Sequence, residues 1–249
     1  MIAFFKSALK KTPLYPHYYA HKQLASINSW TAEDSQRADF YRQFVSRGDL
    51  VFDVGANLGN RLKVFIYLGC KSIAIEPQKL CSAALKLAFS NQATILRCAL
   101  SHQSGIAELR SAGTHLATLS PGFISKTCER FRGADWDEIE RVPTRTMDDL
   151  IAEYGVPRFI KIDVEGHESA VLSGLSRRVP AMSFEFHPEL LDDTLRCLSR
   201  LKSLGGHEFN FSYGESMDLA FHRWLGFREI EEILRHEKEH RGDVYARSV

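Results

Sequence analysis

The chain alternates short apolar runs with segments of helical periodicity, and this pattern predicts an α/β fold. Apolar runs typical of buried strands occupy residues 50–54, 71–75, 94–100, 158–164 and 181–187. Segments with apolar residues at helical spacing follow most of these runs and cover residues 58–68, 78–90, 167–175 and 189–203. Strands that alternate with helices pair in parallel through right-handed crossovers. We therefore expect a mostly parallel sheet with helices on both faces.

The N-terminal part of the chain lacks this alternation. Residues 1–47 have helical patterning interrupted by prolines. We expect a helical cap, with Trp30 and Phe40 packed into the core. The cap and the main domain at residues 48–249 are predicted to form one unit.

The middle of the chain is harder to interpret. Residues Ala107–Arg110 and Val142–Thr146 resemble short antiparallel strands, whereas residues 111–140 follow neither the helical nor the strand period. Loops of that length often act as lids or binding segments. Further elements are predicted at residues 147–154 (helix), 207–213 (strand), 227–240 (helix) and 243–249 (strand).

Composition narrows the class of protein. Of the 249 residues, 44% are hydrophobic and 25% are charged, which is typical of a globular chain rather than a disordered one. The net charge of +1 gives no overall attraction to nucleic acid. The sequence contains no apolar run long enough to span a membrane and no recognisable signal peptide.

The cysteines indicate a cellular location. Five cysteines occur without CxxC spacing, and several lie in apolar segments. This pattern favours reduced, mostly buried thiols over disulfides or a zinc site. A cytoplasmic protein is the expectation.

The stretch DLVFDVGANLGN, residues 49–60, is the best candidate for a ligand-binding turn. Its apolar strand ends beside Asp53, and Gly55 and Gly59 then lead into a helix. In open α/β sheets, ligands bind at the carboxyl ends of the strands, where helix N-termini provide N–H donors. The simpler alternative is a tight strand–helix turn in which Asp53 caps the helix.

The same stretch narrows the choice of ligand. A dinucleotide fingerprint, GxGxxG, requires glycine where Asn57 and Asn60 stand. Asp53 would repel a diphosphate but attract a cationic group. Glu76 follows the second predicted strand and is placed to accept ribose hydroxyls. A ligand with a ribose, no phosphate and a cationic amino-acid end is S-adenosylmethionine.

A second run, FIKIDVEGHESAVLSGL at residues 159–175, joins a strand to a helix through several acids and a histidine. Together with VFDVGANLG, AIEP and SFEFHPE, it closely resembles the FkbM family of class I methyltransferases. The resemblance covers about residues 49–190. It implies a Rossmann-like, seven-stranded sheet whose last strand is antiparallel, with S-adenosylmethionine as donor. It also implies an oxygen acceptor, often a sugar or polyketide hydroxyl, and sometimes a nitrogen acceptor.

The resemblance also implies roles for individual residues. Its cofactor-binding positions correspond to Asp53, Gly55, Asn57, Gly59, Glu76, Ala99, Ser101 and Asp163. Asp163 would face both the methyl group and the acceptor.

Candidate catalytic residues lie at the ends of the fourth and fifth strands. They are Asp163, Glu165 and His187, and His187 is the preferred general base because an unperturbed imidazole has a pKa near 6.5. His167 is more consistent with a structural role. Carboxylates and imidazole also suit a divalent metal, with Asp163, Glu185 and His187 as ligands. That alternative is disfavoured, and we assign no metal ligands.

The leading hypothesis is an O-methyltransferase that acts on a small polar metabolite, a sugar or glycan, or a natural product. N-methylation of a peptide or amine remains open. So does a non-catalytic methyltransferase-like binding module. An NAD-dependent oxidoreductase is disfavoured by Asn57 and Asn60.

Overall fold

The structure is a computed structural model that describes residues 15–249. The part of the predicted cap at residues 1–14 lies outside this range. The strands are β1 (Leu50–Val54), β2 (Lys71–Ile75), β3 (Ala93–Leu96), β4 (Ala99–Leu100), β5 (Gly105–Ala112), β6 (Leu116–Thr118), β7 (Glu138–Arg145), β8 (Phe159–Ile162), β9 (Ala181–Phe186), β10 (His207–Tyr213) and β11 (Gly242–Ser248). The helices are α1 (Tyr15–Asn28), α2 (Ala32–Tyr41), α3 (Leu62–Tyr67), α4 (Lys79–Phe89), α5 (Pro121–Lys126), α6 (Met147–Tyr154), α7 (Glu168–Ser173), α8 (Leu191–Ser203) and α9 (Phe227–His236).

Seven strands form the main sheet in the spatial order β10-β11-β9-β8-β1-β2-β3. Strand β11 pairs antiparallel with both of its neighbours, and the other neighbouring pairs are parallel. The predicted fold class, a Rossmann-like mostly parallel sheet with an antiparallel last strand, is confirmed. Because β1, β2 and β8 are parallel neighbours, their carboxyl ends meet at one edge of the sheet.

A smaller sheet has the order β4-β7-β5-β6; it corrects one prediction and confirms another. The apolar run at 94–100 was expected to form one strand, but it divides between the sheets: β3 pairs with β2, and β4 pairs with β7. Periodicity cannot detect such a change of partner, because both halves are apolar. The antiparallel pair predicted around Ala107 and Val142 exists, and these two residues are in register.

Residues 111–140 contain more structure than the sequence predicted. Strand β6 and helix α5 both lie here. The Ser120 hydroxyl caps α5 by accepting a hydrogen bond from the N–H of Phe123, and Pro121 occupies the first turn. The Phe123 side chain is fully buried. A single turn and a three-residue strand are too short to produce a readable period.

Two helical layers cover the main sheet. One layer contains α2 and α3, and its aromatic core includes Phe40, Phe44 and Tyr245. The opposite layer contains α6 to α9. Phe40 is buried as predicted, but Trp30 is 42% exposed and packs against Tyr67, so its predicted place in the core is wrong.

The cysteines follow the expected pattern. Cys70, Cys81, Cys98 and Cys197 are buried, Cys128 is exposed, and all five are free thiols. No helix within residues 15–249 is long and apolar enough to cross a membrane.

Substitution of Phe44 tests how much the aromatic layer between α2 and the sheet stabilises the fold. It is 5% exposed and contacts the rings of Phe159 and Tyr245. We expect Phe44→Ala to lower the free energy of unfolding by about 3–5 kcal/mol, because it leaves a cavity in a packed core. Urea denaturation measures this change. The control Tyr18→Ala removes a ring that is 51% exposed, and its cost should stay below about 1 kcal/mol. Equal costs for the two variants would contradict this description of the core.

Candidate active site

A cleft of about 260 Å³ opens at the carboxyl ends of β1, β2 and β8. Its wall contains most of the sequence-predicted site residues, namely Asp53, Gly55, Asn57, Glu76, Ala99, Asp163 and Glu165. A further wall lies around strand β6 and consists of His115, Ala117, Thr118 and Leu119. The smaller sheet therefore completes a site that the main sheet begins.

Asp53 carries a buried carboxylate at the cleft wall that lacks a well-formed hydrogen bond. It is 1% exposed, and neither carboxylate oxygen meets full hydrogen-bond geometry with a donor within the described chain; the N–H of Leu62 is near enough to lower the pKa of Asp53 slightly. Burial raises the pKa of Asp53 to about 6, against the lowering influence of Lys161 and Arg61. A buried carboxylate without donors is costly to the fold. Its position at the cleft wall makes it a site for a cationic group.

Glu76 lies directly after β2 and is 3% exposed. Its Oε2 accepts the N–H of Asn57 at 2.8 Å, and its Oε1 accepts the N–H of Gln78 at 2.7 Å. Burial raises the pKa of Glu76 to about 7, although these two N–H donors lower it. Each carboxylate oxygen can accept a second hydrogen bond, so Glu76 can still receive donors from a ligand.

Gly55 allows β1 and β8 to approach each other closely. Its φ is +80°, and a Cβ atom there would lie 1.7 Å from the carbonyl oxygen of Asp163. Only glycine fits this position. The turn thus brings the two strand ends that carry Asp53 and Asp163 together.

Two predicted cofactor residues lie elsewhere. Gly59 is absent from the cleft wall and packs against α4, where a Cβ would lie 2.9 Å from Leu85 and Phe89. Ser101 is also absent from the wall, and its hydroxyl contacts Nε2 of His167 at 3.0 Å. Their positions assign Gly59 to helix packing and Ser101 to support of His167.

The sequence interpretation overlooked the cations of the cleft. Lys161 lies on β8 in register with Asp53, is 4% exposed and forms an ion pair with Asp163. Arg61, 7% exposed, forms an ion pair with Glu215. Lys161 had a detectable signal, because a lysine two residues before Asp163 within a buried strand must point to the same face.

Asp163 is kept ionised by this lysine. Burial alone would raise the pKa of Asp163, but the charge and hydrogen bond of Lys161 hold it below its ordinary value. Asp163 is therefore ionised at neutral pH and is a weaker base than Asp53, Glu76 and Glu165, whose pKa values are raised.

The turn after β8 presents Glu165 at the cleft. Glu165 has a φ of +53°, and the Glu168 carboxylate accepts the N–H groups of Val164 and Gly166. The Thr118 hydroxyl donates to the carbonyl of Glu165 at 2.7 Å and ties the turn to the smaller sheet. Burial, reinforced by the neighbouring carboxylates of Glu185 and Asp163, raises the pKa of Glu165 to about 10.

His187 is not placed as the sequence predicted for a general base. It is 1% exposed and does not line the cleft. Its Nδ1 is 2.8 Å from the Arg130 guanidinium, and its Nε2 is 2.9 Å from Oε2 of Glu185. A guanidinium only donates, so Nδ1 must act as the acceptor. The geometry gives His187 a positioning role behind Glu185.

His167 does line the cleft. Burial lowers its pKa below the ordinary value, and Ser101 contacts its Nε2. A neutral imidazole in this setting is consistent with the structural role that the sequence favoured.

Among known protein families, the model of the methyltransferase FkbM domain matches residues 53–236 of this chain. No curated protein sequence matches the chain.

Several solved methyltransferases are similar in structure. A TehB-like S-adenosylmethionine-dependent methyltransferase from Corynebacterium glutamicum is 12% identical, with 95% of this chain and 100% of that chain covered and a TM-score of 0.46. Magnesium protoporphyrin IX methyltransferase from Synechocystis is 14% identical, with coverage of 87% and 78% and a TM-score of 0.45. A precorrin-6y C5,15-methyltransferase from Geobacter metallireducens is 10% identical, with coverage of 85% and 88% and a TM-score of 0.44.

Gly55→Ala tests the close approach at the cleft. We expect it to lower the free energy of unfolding by about 4 kcal/mol or more, because the new methyl group would collide with the backbone of β8. Urea denaturation provides the measurement. Gly113→Ala is the matched control: its φ is also positive, at +74°, but nothing lies within 4 Å of the new Cβ. The control should cost only about 1–2 kcal/mol, and similar costs for both variants would refute the predicted collision.

Proposed function

Because the chain belongs to the FkbM methyltransferase family and is an S-adenosylmethionine-dependent methyltransferase, we propose that it methylates a hydroxyl group of a small polar metabolite, a sugar or glycan, or a natural product. The observation that carries this proposal is the ion pair with Lys161 that keeps Asp163 ionised on the cleft wall beside Gly55. A hydroxyl acceptor loses a proton when it is methylated, and Asp163 is placed to receive it.

The residues of the cleft fit the cofactor. The orphaned carboxylate of Asp53 matches a cationic amino-acid end, and Glu76 has free acceptor capacity for ribose hydroxyls. Ala99 and Leu100 line the cleft beyond Glu76 and suit an aromatic base. When bound, the cofactor supplies an electrophilic methyl group on a sulfonium.

The chain's own contribution is alignment and proton removal. Lys161 holds Asp163 in place and ionised. Glu165, whose pKa is about 10, is protonated at neutral pH and can donate a hydrogen bond to the acceptor. His187 supports Glu185 from behind the cleft rather than removing the proton itself.

The charge of the cleft favours a neutral acceptor. Asp163 and Glu165 line the acceptor side, and Asp53, Glu76 and Glu215 lie on other parts of the wall. Carboxylates in a buried setting repel anionic acceptors more strongly than they would in water. A hydroxyl fits this wall, and an amine acceptor is the alternative that the same charges leave open.

The N-terminal helices are part of the same unit in this proposal. Helix α1 packs against α4, and the Tyr19 hydroxyl donates to Thr114 at 3.0 Å. The Thr114 carbonyl in turn accepts the side-chain amide of Asn57 at 2.8 Å. We therefore assign residues 15–47, the described part of the predicted cap at 1–47, as a cap on residues 48–249 that contributes to acceptor choice.

An acceptor screen with radiolabelled S-adenosylmethionine tests the proposal. Sugars, polyketide-like alcohols, amines and peptides are offered to the protein, and label is expected on an oxygen. Asp163→Asn should lower kcat on the accepted alcohol by about 100-fold or more. Asp39→Asn, at an exposed ion pair with Arg42, is the control that leaves kcat unchanged. Label found only on nitrogen, or an unchanged kcat in Asp163→Asn, would overturn the assignment.

The buried charge of Asp53 gives a pH-dependent prediction. The pKa is about 6 in the fold and about 3.9 in an unfolded chain. The folded pKa is raised, so the ionised carboxylate destabilises the fold increasingly from pH 4 to above pH 6. Asp53→Asn should therefore raise the free energy of unfolding of the ligand-free protein by about 3 kcal/mol at pH 8, with no gain at pH 4. Urea denaturation at both pH values measures this. A loss of stability at pH 8 would show that the fold already satisfies the carboxylate.

A further inference from the structure

A cluster of ligand-type side chains lies against the acceptor side of the cleft. Within residues 15–249, Glu165, Glu185 and His187 each present one ligand atom, and these atoms all lie within 4.8 Å of one another. Glu165 lines the cleft, so the cluster borders the space assigned to the acceptor. We propose that these three residues form a binding site for a divalent first-row cation such as Mn²⁺.

The ligand set differs from the one that sequence reasoning weighed. That set contained Asp163, whose carboxylate pairs with Lys161 in the structure. Glu165 takes its place beside Glu185 and His187. The turn at Glu165, with its positive φ, brings this carboxylate toward β9 and could not be read from strand alternation.

The spacing of the atoms suits a metal ion. His187 Nε2 is 2.9 Å from Oε2 of Glu185 and 3.8 Å from Oε2 of Glu165. Ligand atoms about 2.1 Å from a shared ion are about 3.0 Å apart at right angles and about 3.4 Å apart in a tetrahedron. Small movements of the two glutamate side chains would bring all three atoms to such distances. Two carboxylates and one imidazole form a donor set that manganese and zinc both accept.

Two of the three atoms that would hold the ion lie against each other and have no other hydrogen-bond partner within residues 15–249. His187 Nε2 and Glu185 Oε2 are buried and lie 2.9 Å apart, and this ion-pair contact raises the pKa of His187. The His187 side chain is 1% exposed, so water does not reach it freely. An orphaned buried polar atom costs about 1–3 kcal/mol unless a ligand engages it. An ion would engage both atoms.

The local charge also favours a dication. The carboxyl groups of Glu185, Asp163 and Glu168 lie near Glu165, and the charge of each one disfavours the ionised form of Glu165. Lys161 pairs directly with Asp163 only. A divalent ion between Glu165 and Glu185 would relieve the remaining repulsion. Ion binding would displace the proton that Glu165 carries in the ion-free protein. If the proposed function holds, the ion would then replace the Glu165 hydrogen bond to the acceptor oxygen and favour the deprotonated form of that oxygen.

Arg130 competes with the ion. A histidine that ligates through Nε2 normally carries a proton on Nδ1 and donates it. Arg130 donates to Nδ1 at 2.8 Å, which requires that atom to be unprotonated. Ion binding therefore requires Arg130 to leave His187. Its second partner, Glu189 at 2.7 Å, provides a place for the guanidinium to remain.

Titration of the metal-stripped full-length protein with Mn²⁺, followed by electron paramagnetic resonance, tests this site. We expect one bound ion per chain, and at least tenfold weaker binding in Glu165→Gln and in His187→Asn. Arg130→Gln should bind Mn²⁺ several-fold more tightly, because it removes a cation and frees Nδ1. His240→Asn is the matched control, since it removes an exposed histidine beside Glu237 and should leave the affinity unchanged.

Any one of three results would overturn the site. In the first, Mn²⁺ binds neither the wild type nor Arg130→Gln; in the second, it binds Glu165→Gln and His187→Asn as tightly as it binds the wild type. The third result is weaker Mn²⁺ binding by Arg130→Gln than by the wild type. Thermal melts establish that each variant is folded, and Glu165→Gln, at the cleft wall, serves if His187→Asn does not fold. Calorimetry with S-adenosylhomocysteine on the same wild-type sample separates the two proposals. If the wild type binds S-adenosylhomocysteine but not Mn²⁺, the metal site alone is refuted. If the wild type does not bind S-adenosylhomocysteine, the proposed function is refuted.

Discussion

The burial of Lys161 at the centre of the sheet is the constraint on which the site depends. Lys161 is in register with Asp53 on β1, and its ammonium pairs with Asp163, which lies two residues further along the chain, just after β8. A buried cation must be paired, so this lysine fixes the position of Asp163 and keeps it ionised. Asp53, by contrast, keeps two unsatisfied oxygens. Asp163 is thereby kept ionised and able to accept a proton, and Asp53 is left able to pair with a cationic ligand.

The site is assembled from two sheets that contribute different things. The main sheet provides the charges, because parallel strands bring their carboxyl ends to one edge. The smaller sheet provides the second wall through residues 115–119, and Thr118 secures the turn that carries Glu165. Helix α1 reaches the same wall through Tyr19 and Thr114. Cofactor recognition thus rests on the regular part of the fold, whereas the acceptor side is built from the irregular part.

The regular part could be predicted from the sequence, and the irregular part could not. The main sheet, Asp53, Glu76 and Asp163 follow from apolar runs that end in acids. The division of residues 94–100 between two sheets does not, because both halves are equally apolar. The surroundings of His187 could not be predicted either. Strand alternation places His187 on the same face as Glu185, but it does not show that the Arg130 guanidinium donates to Nδ1 of His187. Arg130 comes from the long segment that has no readable period.

The central claim is that Asp53 binds the cationic amino-acid end of the cofactor while Glu76 binds its ribose. Calorimetric titration of the wild type and of Asp53→Asn with two ligands tests it most directly. S-adenosylhomocysteine has the amino-acid end, and 5′-methylthioadenosine lacks it but keeps the adenosine. We expect Asp53→Asn to weaken S-adenosylhomocysteine binding by about tenfold or more, which corresponds to about 1.4 kcal/mol or more, and to leave 5′-methylthioadenosine binding unchanged. An equal loss for both ligands, or a loss for neither, would contradict the account.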